Sequence, residues 1–276
     1  MLDQPRSTQR YVPTVKEEES RLISRILELV REFPRFGYRQ ITRLLRGEGW
    51  QINFKRVYRL WRQEGLKVPR KKQKRKRLGD SSGGILRRKS ERMNQVWSMD
   101  FIFDRTTNGR AIKILSIIDE YTRECIALSV SRKMTSDDVI AALVDLIAIR
   151  GVPAFIRCDN GPEFISKSLR KFLERIDVGT SYIEPGSPWE NGFVESFHSR
   201  FRDECLACEE FTTIFEAMTV IDEWRSMYNQ RRPHSSLDGQ TPAKFASQCA
   251  ASVPGEIPPP APSLPPLQRH TADLLT

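Results

Sequence analysis

Residues 96–104, VWSMDFIFD, decide the fold. Their side chains alternate as in a half-buried strand, so that Val96, Ser98, Asp100 and Ile102 share one face. Asp100 is thereby an anion inside an apolar strand, a costly placement unless it is paired or binds a cation. Two more strand-like runs follow, Ile112 to Ile118 and Cys125 to Ser131, joined through Asp119, Glu120, Tyr121, Thr122 and Arg123, and the three predict a meander. Ser136 is then expected to cap a helix with Asp137 and Asp138 in its first turn. Its buried face would carry Val139, Ile140, Leu143, Val144 and Ile147, and Gly151 and Pro153 would end it. Ala154 to Cys158 reads as a short strand that delivers Asp159 into the turn Asn160, Gly161, Pro162. Strand ends are where α/β architectures usually place their chemistry. A helix with Leu169, Phe172, Leu173 and Ile176 inward and a strand around Ser181 to Ile183 complete the order: three strands, helix, strand, helix, strand, helix.

The last helix carries its own start signals. Ser187, Pro188, Trp189 and Glu190 supply an N-cap serine, a proline at the first helical position and a capping-box glutamate. Asn191, Glu195, His198 or Ser199, and Arg202 then fall at steps of three or four and share one face. This polar stripe beside two strand aspartates has a chemical rationale. Hard divalent cations such as Mg²⁺ prefer carboxylate oxygens, and two ions about 3.5 to 4 Å apart need several carboxylates from different elements. Plainer roles also fit: Asp159 before Asn-Gly as a turn former, Glu195 as a solvated helix residue, Asp119 as the cap of the turn that follows it. Asp100 has the weakest plain explanation, because its neighbours are apolar.

The chain has 276 residues, 39% of them hydrophobic, and a net charge of +10 from 45 Lys plus Arg against 35 Asp plus Glu. That content excludes a wholly disordered chain. The charge is unevenly spread: residues 1–66 carry +6, residues 67–92 carry +10, and residues 93–276 carry −6. Contact with phosphates is therefore expected at the N-terminal end. The longest apolar stretch, Val139 to Ile149, is broken by Asp145 and falls short of the roughly 20 residues that cross a bilayer, so no membrane partner is expected. The first 30 residues lack the apolar centre of a secretion signal, which points to the cytoplasm. Five scattered cysteines read as reduced thiols rather than a disulfide framework.

Within residues 1–66, Leu22, Ile23, Ile26, Leu27, Leu29, Val30 and Phe33 recur at helical spacing until Pro34. Tyr38 to Arg46 predicts a second helix ended by Gly47 and Gly49, and Asn53 is expected to cap a third. The third places Val57, Leu60 and Trp61 on one side and Lys55, Arg59 and Arg62 on another, with Arg56 beside them. Short helix, glycine turn, basic helix is the pattern of a helix-turn-helix that binds DNA. Residues 67–92 read as a basic linker in which Lys71, Lys72, Lys74, Arg75, Lys76 and Arg77 would neutralise several phosphates. Residues 93–250 form the α/β unit, and residues 251–276 read as a proline-rich disordered tail.

The segments WSMDF with Asp100, CDNGPEF with Asp159 and SPWENGFVESF with Glu195 resemble the three catalytic motifs of the DDE transposase and retroviral-integrase superfamily. Thirty-five residues separate Asp159 from Glu195, the family's spacing, and Arg202 lies seven beyond Glu195, where the family carries Lys or Arg. FGYRQITRLLRGEG, NFKRVYRLWRQEGL and YNQRRPHSSLDGQTPAKF further resemble bacterial insertion-sequence transposases, specifically the product of the second reading frame. The resemblance implies a ribonuclease-H-like catalytic fold, a mixed sheet with flanking helices, preceded by the all-α helix-turn-helix domain. It implies that Asp100, Asp159 and Glu195 hold two Mg²⁺ ions, Mn²⁺ substituting, for DNA strand cleavage and strand transfer. It implies double-stranded DNA partners, the element's terminal repeats and target DNA, with Arg202 and Asn191 as contacts. A homo-oligomer on DNA, an upstream-frame fusion or partner protein, and a place on the bacterial nucleoid follow from the same likeness. Two features depart from it. With only His198, His234 and His270, and with Cys205-x-x-Cys208 lacking a second pair, the chain cannot match the N-terminal His-His-Cys-Cys zinc site of retroviral integrases. It also shows no sustained heptad, whereas relatives are often made as a frameshift fusion with an upstream helix-turn-helix and leucine-zipper segment.

Overall fold

The computed structural model describes residues 17–69, 90–182 and 192–251. Three helices come first, α1 (Glu17–Glu32), α2 (Tyr38–Gly47) and α3 (Phe54–Gln63). Leu22, Ile26 and Leu29 of α1, Ile41 and Leu45 of α2, and Val57, Leu60 and Trp61 of α3 are all buried in one apolar cluster. Gly49, at a φ of 94° that favours glycine, turns the chain after α2. Asn53 caps α3 as expected, its side chain accepting the Arg56 N–H at 2.8 Å. Leu66 and Val68 also pack on this cluster, so its core runs past residue 66 into the start of the basic segment.

The second unit is a five-stranded sheet in the order β3-β2-β1-β4-β5. Strands β1 (Val96–Arg105), β2 (Ala111–Asp119) and β3 (Cys125–Ser131) form the antiparallel meander, while β4 (Phe155–Cys158) and β5 (Gly179–Tyr182) run parallel to β1. Period-two alternation gives each face its own core. Trp97, Met99, Leu115, Ile117 and Ile156 face one layer, with Val139 and Leu143 of α4 (Ser136–Arg150) and Leu169 and Leu173 of α5 (Lys167–Arg175). Ile102, Ile112, Ile114 and Ile118 face the other, against Val194, Phe197 and Phe201 of α6 (Gly192–Phe201) and Ile221, Trp224 and Tyr228 of α7 (Ile214–Gln230). Between α6 and α7 the chain makes a π-helical turn over Arg202–Leu206, and α8 (Pro242–Ala251) closes the described chain.

Several local expectations need correction. Thr135, not Ser136, caps α4, in a reciprocal box with Asp138. Val144 is 47% exposed although it shares the apolar spacing of α4, and Phe215, which the helical spacing from about Thr213 would bury with Met218, Ile221 and Tyr228, is 61% exposed. The fifth strand starts two residues earlier than Ser181, at Gly179, and Ile183 lies outside the described residues. So does the Ser187 to Glu190 capping signal, along with most of the basic linker and the proline-rich tail.

The two units are in contact. Arg35 pairs with Asp203 and Glu32 with Arg231, the Gln40 side-chain amide donates to the Pro233 carbonyl at 3.3 Å, and Met227 packs on the helical cluster. Residues 228–234, YNQRRPH, supply much of this joint. Asn229 also exchanges two hydrogen bonds of 2.9 Å with the backbone of Cys125, acting as a strand partner for the start of β3.

Candidate active site

Asp100 lies at the middle of β1, paired in register with Ser116 of β2. Ser98 of β1 stands beside Arg157 of β4, so two residues further on Asp100 and the β4 exit at Asp159 come to the same edge. Asp159 is exposed and holds its turn by accepting the Gly161 N–H at 2.9 Å. A Cβ on Gly161 would lie 3.0 Å from Asp159 Oδ1, so a side chain there would press directly on the carboxylate. Glu195 is exposed in the first turn of α6.

The three acids share one electrostatic field. Asp100 is half-buried and its carboxyl is pushed up to about 6, chiefly by burial and further by the negative charge of Asp159 and Glu195; the Phe101 N–H and Arg202 pull the other way. Among the described residues no three carboxylate, imidazole or thiol side chains stand close enough together to hold a metal ion. The acids thus stand within electrostatic reach of one another without closing round a common point. Their donor chemistry fits a hard divalent cation: oxygen ligands only, with burial and two neighbouring carboxylates disfavouring the bare charge on Asp100.

Asp119 contrasts with Asp100. It is fully buried, and its carboxylate accepts the N–H groups of Asn94, Tyr121 and Thr122 at 2.7, 2.8 and 2.9 Å. It caps the turn, and its oxygens are committed to the backbone. Of the two candidates on the α6 stripe, Ser199 is exposed and His198 is buried, its Nε2 2.7 Å from Ser116 Oγ and its Nδ1 3.6 Å from Asp100 Oδ2. Burial, with Arg202 nearby, pushes the imidazole down to about 3, so it is neutral. Arg202 itself is exposed at the start of the π-helical turn.

The groups around the acids are not evident in the sequence. Lys113 of β2 pairs with Glu163 in the loop after Asp159 and lies 3.9 Å from the Phe101 ring centroid, while Phe164 stacks on that ring at 4.8 Å. Ser98, Glu120 and Arg157 form a buried polar row on the Asp100 face. Ser116 carries a legible signal, a lone hydroxyl within the apolar run from Ile112 to Ile118. Lys113 and Glu163 carry none, since 50 residues separate them.

On α3, Lys55, Arg59 and Arg62 are exposed and Arg56 is half-buried. Arg59 pairs with Glu19 of α1 at 2.8 Å, and Arg56 lies 3.9 to 4.0 Å from Glu19 and Glu18. Tyr58 stands among them, 45% exposed and packed against Tyr38 of α2. Lys71, Lys72, Lys74, Arg75, Lys76, Arg77 and Asn191 lie outside the described residues. Arg232 is buried in a two-pronged pair with Glu204, both hydrogen bonds 2.7 Å. Cys205 is buried with its thiol pushed up to about 12 by burial, so it is an inert core group. Among the described residues no helix is long and apolar enough to cross a membrane.

Comparison with known proteins gives three family matches: an HTH-like domain over residues 17–74, and integrase core domains over residues 90–188 and 176–242. An uncharacterized 31.7 kDa protein of insertion element IS407 from Burkholderia multivorans is 37% identical, over 90% of this chain and 88% of its own length. The putative transposase InsK of insertion sequence element IS150 from Escherichia coli is 28% identical over 78% of each chain. Among solved structures, the HTLV-2 integrase catalytic core domain in complex with magnesium matches at 20% identity with a TM-score of 0.46, over 56% of this chain and 98% of that one.

Proposed function

The chain belongs to the insertion-element transposases built on an integrase core domain, DDE polynucleotidyl transferases that act in DNA transposition, and we propose that it binds the ends of its element and cuts and joins them by two-metal phosphoryl transfer. Asp100, Asp159 and Glu195 are the residues that would hold two Mg²⁺ ions, with Mn²⁺ able to replace them. Such ions, when bound, activate the attacking oxygen and stabilise the leaving one.

In the first step a water oxygen bonds to phosphorus at the element end, the bond from phosphorus to the 3′-oxygen breaks, and a 3′-hydroxyl and a 5′-phosphate result. In the second, that 3′-hydroxyl loses its proton as its oxygen bonds to a target phosphorus, and the target's own 3′-oxygen leaves. Every displacement is between oxygens of water and DNA, so no covalent enzyme intermediate is needed. The protein's part is to hold the carboxylates in place and the DNA against them. Lys55, Arg56, Arg59 and Arg62 on α3 and the basic residues Lys71, Lys72, Lys74, Arg75, Lys76 and Arg77 would supply the grip, Arg202 and Asn191 the contacts beside the acids. This divides the chain into a helix-turn-helix unit (1–66), a basic linker (67–92), a catalytic unit (93–250) and a tail (251–276), acting as a homo-oligomer on nucleoid DNA, alone or fused to an upstream-frame protein.

The observation that carries the reading is that Asp100, half-buried in β1, stands within electrostatic reach of Asp159 at the exit of β4 and of Glu195 on α6. The test is to incubate the protein with labelled terminal-repeat DNA and Mg²⁺ beside a Glu195→Gln variant. Wild type should give nicked and joined products and the variant at least about 100-fold less, the scale of losing a charge-stabilising group. Equal products from both would sink the carboxylate assignment.

A further inference from the structure

Helix α6 carries Glu195, and the apolar packing beneath it sets its rotation only coarsely. Val194, Phe197 and Phe201 press on Ile102, Ile112, Ile114 and Ile118, which fixes the buried side of the helix but leaves its fine rotation to directional contacts. A hydrogen bond does specify one. His198, 6% exposed, has its Nε2 2.7 Å from Ser116 Oγ. Ser116 Oγ in turn donates to the backbone carbonyl of Asp100 at 3.0 Å. A hydroxyl has one proton. With that proton given to Asp100, Ser116 can only accept from the imidazole, so Nε2 carries the hydrogen. The other ring nitrogen, Nδ1, then stands 3.6 Å from Asp100 Oδ2. Glu195 lies three residues before His198, one turn away on the same side of α6.

We propose that His198 and Ser116 are a positioning pair, which locks the rotation of α6 to the β1–β2 hairpin and so aims Glu195 at the same divalent cation as Asp100. This rests on the carboxylate reading above. The link is a polar bridge between α6 and the strand that bears the first acid, and it runs through backbone as well as side chain. A change at either member would let α6 turn while its apolar face stayed buried. Glu195 would swing away from the cation while the main DNA grip, supplied by α3 and the basic linker, stayed intact.

The experiment measures Mn²⁺ binding by calorimetry to the full chain after chelator treatment, for wild type and for Ser116→Ala, Ser116→Thr, His198→Leu, His198→Gln and Asp100→Asn. Ser116→Ala and His198→Leu should each weaken Mn²⁺ binding by about 10- to 100-fold, the range for groups that orient metal ligands. Ser116→Thr keeps the hydroxyl and His198→Gln keeps a donor at the Nε2 position, and both should restore most of the affinity. The Ala/Leu double variant should be no weaker than the worse single change, as expected for one shared link. In strand transfer the same two single variants should lower kcat and leave KM for DNA near wild type. Wild-type Mn²⁺ affinity in Ser116→Ala and His198→Leu, beside its loss in Asp100→Asn, overturns the positioning pair alone. Unchanged affinity in Asp100→Asn overturns the carboxylate reading and this inference with it. If His198→Leu does not fold, the contrast of Ser116→Ala with Ser116→Thr decides the matter, equal affinities overturning the pair.

Discussion

Two aspartates in neighbouring strands, Asp100 and Asp119, show how environment separates chemistry from architecture. Asp119 spends its lone pairs on three backbone N–H groups. Asp100 receives one, from Phe101, and stands in the field of two other acids. The sequence marks Asp100 because its neighbours are apolar, but it does not reveal that Asp119 is saturated, since the N–H of Asn94 comes from 25 residues away. His234 shows the opposite case, a titratable group held neutral by cations. Burial first, then the charges of Arg232, Arg123, Arg200 and Arg43, push it down to about 4 from 6.5. Above pH 6.5 both folded and unfolded chains hold this imidazole neutral, so it adds no pH dependence. As pH falls from 6.5 towards 4 the unfolded chain takes up a proton that the folded one refuses, and stability drops. The loss should be of order 2 kcal/mol by pH 4. Thermal unfolding in metal-free buffer between pH 7 and 5.5 should therefore show a falling midpoint, to which His198 adds and which Asp100, with its raised proton affinity, partly opposes, and His234→Gln should flatten part of that fall. An identical slope in the variant would mean that His234 is not held neutral.

Helices and strands are legible in the sequence where periodicity runs the length of an element. The three N-terminal helices, the meander and α5 follow their apolar spacing closely. Differences fall at ends and edges. Thr135 rather than Ser136 caps α4 because the cap is chosen by which side chain reaches the free N–H groups, and Thr135 and Asp138 reach each other. Phe215 sits on an apolar step of α7 but in its first turn, where it is 61% exposed. Asn53 is recognisable as a cap since both its residue type and its place before a basic amphipathic run mark one. Asn53→Ala should lower the stability of the helical unit by about 1 kcal/mol and loosen the α3 face that carries Lys55, Arg59 and Arg62. Urea unfolding followed by tryptophan fluorescence, with Trp61 buried in that unit, would expose the idea as wrong if the midpoint did not move.

For the molecule as a whole, a net charge of +10 conceals +16 in residues 1–92 against −6 in the rest. The basic end would hold phosphates, and the acidic end would keep its carboxylates for cations. The α3 face offers less free charge than its composition suggests, because Arg56 and Arg59 face Glu18 and Glu19 of α1. More of the salt-dependent grip then falls to the linker. Replacing Lys71, Lys72, Lys74 and Lys76 by Ala should reduce the slope of log affinity for DNA against log salt by up to roughly 3 to 4, near one for each phosphate no longer neutralised. An unchanged slope would reduce the linker to a spacer. The joint between the units is not legible in the sequence at all. YNQRRPH suits DNA contact or a turn back onto the core equally well, and the structure spends Arg231 on Glu32, Arg232 on Glu204 and Asn229 on Cys125.

By itself the sequence determined the element types and the family and singled out the three candidate acids, because strand alternation, helix spacing and motif intervals are properties of neighbours along the chain. It also carried the charge division, which needs only counting. Tertiary structure alone decided that His198 rather than Ser199 turns inward to Ser116, that Lys113 reaches Glu163, and that burial, with Asp159 and Glu195 in reach, raises the proton affinity of Asp100. Those outcomes depend on distances between residues tens of positions apart, and such distances are set by how sheet and helices pack, which no local pattern encodes.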